Sequence, residues 1–98
     1  MMTDTQQDTS TVTWVAIDIA KRWNAVLVEY PDGRRQSFKM ANQREDYDRL
    51  VVFLRTQPGT CRVALEATAD YHRRLAYRLV SEGLNVCFVS LAYHGCLQ

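Results

Sequence analysis

The sequence predicts an α/β fold around a mixed five-stranded sheet, and three observations lead there. Two short apolar runs, Val15-Ala16-Ile17 and Val63-Ala64-Leu65, each end in an acid, Asp18 and Glu66. Pro31-Asp32-Gly33 sits between two strand-like segments and reads as a hairpin turn, with Pro presetting φ and Gly free to take positive φ. Beyond the hairpin, stretches of helical periodicity alternate with apolar runs, which implies a meander continued by parallel strands and crossover helices.

Taken in order, residues 12–20 read as a first strand, apolar on both faces, as a central strand covered by helices would be. Residues 24–30 and 34–40 form the hairpin. Asn42 followed by Glu45 suggests a capping box, and Tyr47, Leu50, Val51 and Leu54 repeat at i, i+3, i+4, i+7. A helix is therefore expected from about Arg44 to Thr56, stopping before Pro58-Gly59. Residues 61–66 are the fourth strand. Thr68 is placed to cap a second helix with Tyr71, Leu75, Ala76, Leu79 and Val80 on its apolar face, and Gly83 follows as its left-handed stop. Residues 84–90 complete the sheet, and 91–98 carry no clear pattern.

If the fourth strand lies parallel to the first, Asp18 and Glu66 come together at the C-terminal edge of the sheet, where α/β proteins build their sites. This is the ribonuclease H-like arrangement, a fold-level analogy at this point. Two carboxylates side by side supply the hard oxygen donors of a magnesium site.

Composition narrows the rest. The chain has 98 residues, 47% of them hydrophobic, enough for one small domain with a modest core. A net charge of +1 creates no large field toward nucleic acid. Of the twelve basic residues only Lys21 and Lys39 are Lys, an Arg bias that suits phosphate contacts but follows equally from genome composition. Cys61, Cys87 and Cys96 lack metal-ligand spacing and read as reduced, mostly buried thiols in a cytoplasmic protein. Residues 1–13 form a polar leader unlike a signal peptide, and no segment reaches the roughly 18 apolar residues of a membrane span.

At the acids and the residues after them the sequence resembles a known family, the bacterial insertion-sequence transposases with a RuvC-like Asp-Glu-Asp-Asp N-terminal domain (IS110 type). Val15 to Lys21, the Asp32-Gly33 turn and above all Ala64-Leu65-Glu66-Ala67-Thr68-Ala69-Asp70-Tyr71-His72-Arg73-Arg74-Leu75-Ala76 carry the likeness, with Gly83 and Leu84-Asn85-Val86 behind them. The resemblance divides the chain into a leader (1–13), an incomplete RuvC-like domain (14–90) and a divergent tail (91–98). It implies a DNA transposase that cleaves and transfers phosphodiesters with Mg2+ or Mn2+, and it makes Asp18 and Glu66 the first two of four catalytic metal ligands. The other two acids of the family lie in an Asp-x-x-Asp stretch, whereas no Asp or Glu follows Glu82 here. The downstream domain carrying the family's catalytic Ser is likewise without a counterpart, so the chain is expected to be a truncated N-terminal part that binds metal weakly and is inactive alone. DNA, a structured guide RNA and further copies of the chain are the partners this implies.

Plainer readings stand beside these. Asp18 also suits a strand-end cap, and Glu66 a buried ion pair with Lys21, Arg73 or Arg74. Asp70 reads as helix-dipole compensation. Lys21, His72, Arg73 and Arg74 are candidate nucleic-acid contacts, against a default of a solvated helix face continued by Arg78. Trp14 and Trp23 read as core or rim. Two alternatives of other classes remain: a phosphate-binding fragment like the actin and sugar-kinase fold, which favours Gly where Ala20 stands, and a non-catalytic remnant that associates with intact transposase.

Overall fold

The computed structural model describes residues 11–67, 71–89 and 94–96. Its sheet has the order β3-β2-β1-β4-β5-β6. β1 (Val12–Ile19), β2 (Trp23–Glu29) and β3 (Arg35–Ala41) form the antiparallel meander, and β4 (Thr60–Ala67) and β5 (Asn85–Val89) follow parallel to β1. The five expected strands are present in the expected places. A sixth, β6 (His94–Cys96), pairs antiparallel with β5 in the segment where the sequence showed no pattern.

Burial along β1 alternates instead of being apolar on both faces, which corrects the expectation of a strand covered from both sides. Val15, Ile17 and Ile19 point into the core, while Trp14, Ala16 and Asp18 lie on an open face. The reason is that both helices pack on one side. α1 (Arg44–Arg55) and α2 (Arg73–Ser81) bring Tyr47, Leu50, Val51, Leu54, Leu75, Ala76 and Leu79 into one cluster with Val15, Ile17, Val26, Val63, Leu65 and Val86. Each fully buried aliphatic there stabilises the fold by about 1.5–3 kcal/mol.

α1 has the expected length, but its start is built differently. Gln43 is the N-cap and makes no side-chain cap bond. Asp46 reaches back instead, accepting hydrogen bonds from the Ala41 backbone N–H at 2.7 Å and from Gln43 Nε2 at 3.3 Å. These bonds, the backbone one foremost, hold the Asp46 carboxyl below its ordinary pKa of 3.8. Asn42 is thereby left for the β1–β2 loop.

The turn between α1 and β4 is locked to the start of β1. Buried Thr13 donates its hydroxyl to the Pro58 carbonyl at 2.7 Å. Gly59 takes φ 71°, and a Cβ there would collide with the Thr11 carbonyl. At the other helix, Gly83 has φ 81° but faces open space.

α2 begins at Arg73 with His72 as its N-cap, and the proposed Thr68 cap falls outside the described residues. Of the apolar face expected for it, Leu75, Ala76 and Leu79 are buried, whereas Tyr71 and Val80 are exposed. The thiol reading holds for Cys61, a free and half-buried cysteine whose pKa burial pushes up. It fails for Cys87, which is disulfide-bonded. The unanticipated β5–β6 ladder makes Cys96 its Cα partner.

Two outcomes follow. Gly59→Ala is expected to cost about 1–3 kcal/mol in urea unfolding, and clearly more than Gly83→Ala, because both force an L-residue to positive φ but only Gly59 also meets backbone. Asp46 contributes stability that is fully present above pH 3.8 and is lost as the pH falls through its lower folded-state value. The stability difference between the native chain and Asp46→Asn, followed by unfolding at a series of pH values, should therefore vanish in that acid range.

Candidate functional site

The ladder registers set three rows of side chains across the open face. The outermost runs Lys39, Ala25, Asp18, Glu66, Val89 from β3 to β5. Asp18 and Glu66 are thus direct neighbours on adjacent parallel strands, near the C-terminal ends of both, and both are exposed. Neighbouring strands lie about 4.8 Å apart, so the two carboxylates are within reach of a single ion. Neither side chain has a hydrogen bond or ion pair among the described residues. Glu66 is therefore not the buried, salt-bridged acid that its apolar run suggested, since it projects from the uncovered face.

The middle row carries no charge, running Ser37, Leu27, Ala16, Ala64, Cys87. The outer row and, of the middle row, Ser37, Leu27, Ala16 and Ala64 line an open groove of about 800 Å³ that includes both acids. Lys39 closes the acid row over the short side chain of Ala25. Sequence reasoning passed over Lys39, because only the three-strand register brings it into line with Asp18. In the inner row Arg62 lies over the Trp14 ring at 5.8 Å, and Trp14, expected in the core or at its rim, is 44% exposed on this face.

The candidate nucleic-acid residues, and Arg78 beyond them, separate by their surroundings into four kinds. His72 is half-buried and packs on Phe88, ring centroids 4.5 Å apart, and its Nδ1 is buried with no hydrogen-bond partner. Arg78 is spent on Asp48 at 2.8 Å and Glu82 at 2.9 Å, so the basic stripe does not continue to it. Lys21 and Arg74, by contrast, line one cleft beyond the ends of the strands, together with Asn42, Tyr47 and Tyr71. Arg73 is exposed on the first turn of α2.

The cleft rests on a polar network that no local pattern in the sequence predicts. Asn42 Nδ2 donates to the Ala20 carbonyl at 2.8 Å and the Lys21 carbonyl at 3.2 Å. Its Oδ1 accepts from Asn24 Nδ2 at 2.8 Å and from the Tyr47 hydroxyl at 3.1 Å. Asn24, fully buried, also accepts from the Ala20 N–H through Oδ1 at 3.1 Å. Burial pushes the Tyr47 phenol above its usual pKa, keeping it a proton donor. The loop between β1 and β2 is therefore clamped directly behind Asp18.

Against known families, residues 15–93 match the model of the Asp-Glu-Asp-Asp transposases of IS110 elements, described as "Transposase". The chain belongs to this transposase family. No curated protein matches the sequence significantly. The match spans every strand and helix described here except the first residues of β1 and the whole of β6. The mixed sheet with its acid-bearing strand ends agrees with the RuvC-like fold of these transposases. DEDD transposases generally work with a divalent metal. Among the described residues no group of three or more His, Cys, Asp or Glu gathers at one place, so Asp18 and Glu66 stand as a pair. Asp70 lies outside the described residues. No described helix is long and apolar enough to cross a membrane.

Proposed function

We propose that this chain is the N-terminal part of a DNA transposase, cytoplasmic, in which Asp18 and Glu66 are two of the four carboxylates that hold the catalytic metal ions. The observation that carries the reading is the register pairing of Asp18 with Glu66 on the open face of the sheet. The donor set fits Mg2+ or Mn2+: both groups supply hard oxygen atoms, both are solvent-accessible, and no cation within the described residues occupies them. A divalent ion held there supplies Lewis acidity toward a phosphodiester and lowers the pKa of an attacking oxygen.

The chain's own residues do the positioning. Parallel strands β1 and β4 fix the spacing of the carboxylates, and the Ala16, Ala25 and Ala64 floor keeps the approach to them unobstructed. Two carboxylates are half of a four-acid cage, and magnesium gives up its water reluctantly, so binding by this pair alone is weak. Guide RNA and self-association belong to the same reading, as partners of the complete site.

The isolated chain is expected neither to cut nor to join DNA at saturating Mg2+ or Mn2+. Supplying the acidic downstream segment of an intact relative should restore strand cleavage only with both acids present, and Asp18→Asn or Glu66→Gln should lower the rescued rate by about a hundredfold or more. Gel assays of labelled DNA decide it. Metal-dependent cleavage by the unsupplemented chain, or a rescued rate indifferent to both substitutions, moves the chemistry away from these acids.

A further inference from the structure

We infer that the cleft formed by Lys21, Asn42, Tyr47, Tyr71 and Arg74 is a second anion subsite, which holds a backbone phosphate of the nucleic-acid strand presented to the acid pair. Its volume is about 220 Å³, matched to a phosphate group and part of its sugar. Two cations face it, and neither has a carboxylate partner among the described residues. That sets them apart from Arg34, Arg35, Arg49, Arg55 and Arg78, all of which are ion-paired. Like charges brought together repel, and an anion between them relieves the repulsion.

The cleft is also preorganised. The carbonyls of Ala20 and Lys21 are tied down by Asn42, which fixes the backbone that carries the Lys21 ammonium. Arg74, from α2, has its guanidinium carbon over the Tyr47 ring, 5.9 Å from the centroid. A cation–π contact leaves guanidinium N–H groups able to donate to an oxygen ligand. Tyr71, 42% exposed at the mouth, offers a ring against which a sugar or base can lie. Lys21 lies three residues beyond Asp18, in the loop that leaves the acid-bearing end of β1, so the cleft opens at the same end of the sheet as the acid pair.

The ligand's identity rests on the transposase reading, and metal-free conditions keep a failure of the subsite separate from a failure of the metal site. The test is fluorescence anisotropy of a labelled oligothymidylate with the full chain in EDTA, over a series of salt concentrations. Lys21→Gln and Arg74→Ala should each weaken binding about tenfold, the loss of one charged contact. Each should also reduce the slope of log affinity against log salt by roughly 0.7. Arg34→Ala, which removes an equal charge from an ion pair at the hairpin turn, should change neither. Circular dichroism confirms folding, and Lys21→Gln, a change at an exposed position, carries the test if Arg74→Ala does not fold. The same titration with oligouridylate separates the sources: loss on one polymer alone assigns the phosphate to it, and loss on both assigns a backbone common to DNA and RNA. Unchanged affinity and slope in both variants, or an equal loss in Arg34→Ala, overturns the subsite.

Discussion

The parallel pairing of β1 with β4 is the constraint on which the rest depends. It aligns Val15 with Val63, Ile17 with Leu65 and Asp18 with Glu66 in one continuous ladder. Side chains alternate between faces with a period of two, so a slip of one residue would exchange the two faces of β4. Leu65 would then leave the core, and Glu66 would enter it without a partner, a burial that costs several kcal/mol. The apolar core and the acid pair are consequently specified by the same register. Thr13 and Gly59 pin it at one end, where the chain enters β4.

That register explains why chemistry and stability occupy opposite sides of the sheet. The helices cover the face that carries Ile17 and Leu65, and the acids emerge on the other. Two carboxylates directly opposite one another on adjacent strands are unfavourable in a sheet. They persist here at the sheet's C-terminal edge, exposed to solvent, where repulsion is screened and a cation can enter. Behind them the buried Asn24–Asn42–Tyr47 network satisfies the polar atoms of the β1–β2 loop and links β1, β2 and α1 immediately beyond the acid-bearing turn. Support for the candidate site therefore comes from the helix side, although the acids themselves lie on the open side.

Much of this was legible in the sequence because it rests on local signals. Pro31-Asp32-Gly33 encodes its turn, Tyr47 to Leu54 encodes the buried stripe of α1, and Gly83 encodes the end of α2. The acids stood out because each closes an apolar run. What escaped depends on pairing between distant segments. Ala16 and Trp14 look like core residues until both helices are known to share the other face. Asn42 and Glu45 have the spacing of a capping box, yet Asp46 can also reach the Ala41 N–H, and Asn42 is drawn to loop carbonyls some twenty residues upstream. β6 is too short for periodicity to reveal, and with it went the environment of Cys87. Lys39 joined the acid row only through two successive antiparallel registers.

The central claim is that register alone brings Asp18 and Glu66 together as a place for a divalent cation. Paramagnetic line broadening of backbone amides by substoichiometric Mn2+ tests it most directly, since the effect falls steeply with distance from the ion. Broadening should begin at the amides of Asp18 and Glu66 and spread along the facing ends of β1 and β4. Broadening centred instead on acids elsewhere, such as Asp32 at the hairpin or Asp48 on α1, with Asp18 and Glu66 still sharp, would contradict the account.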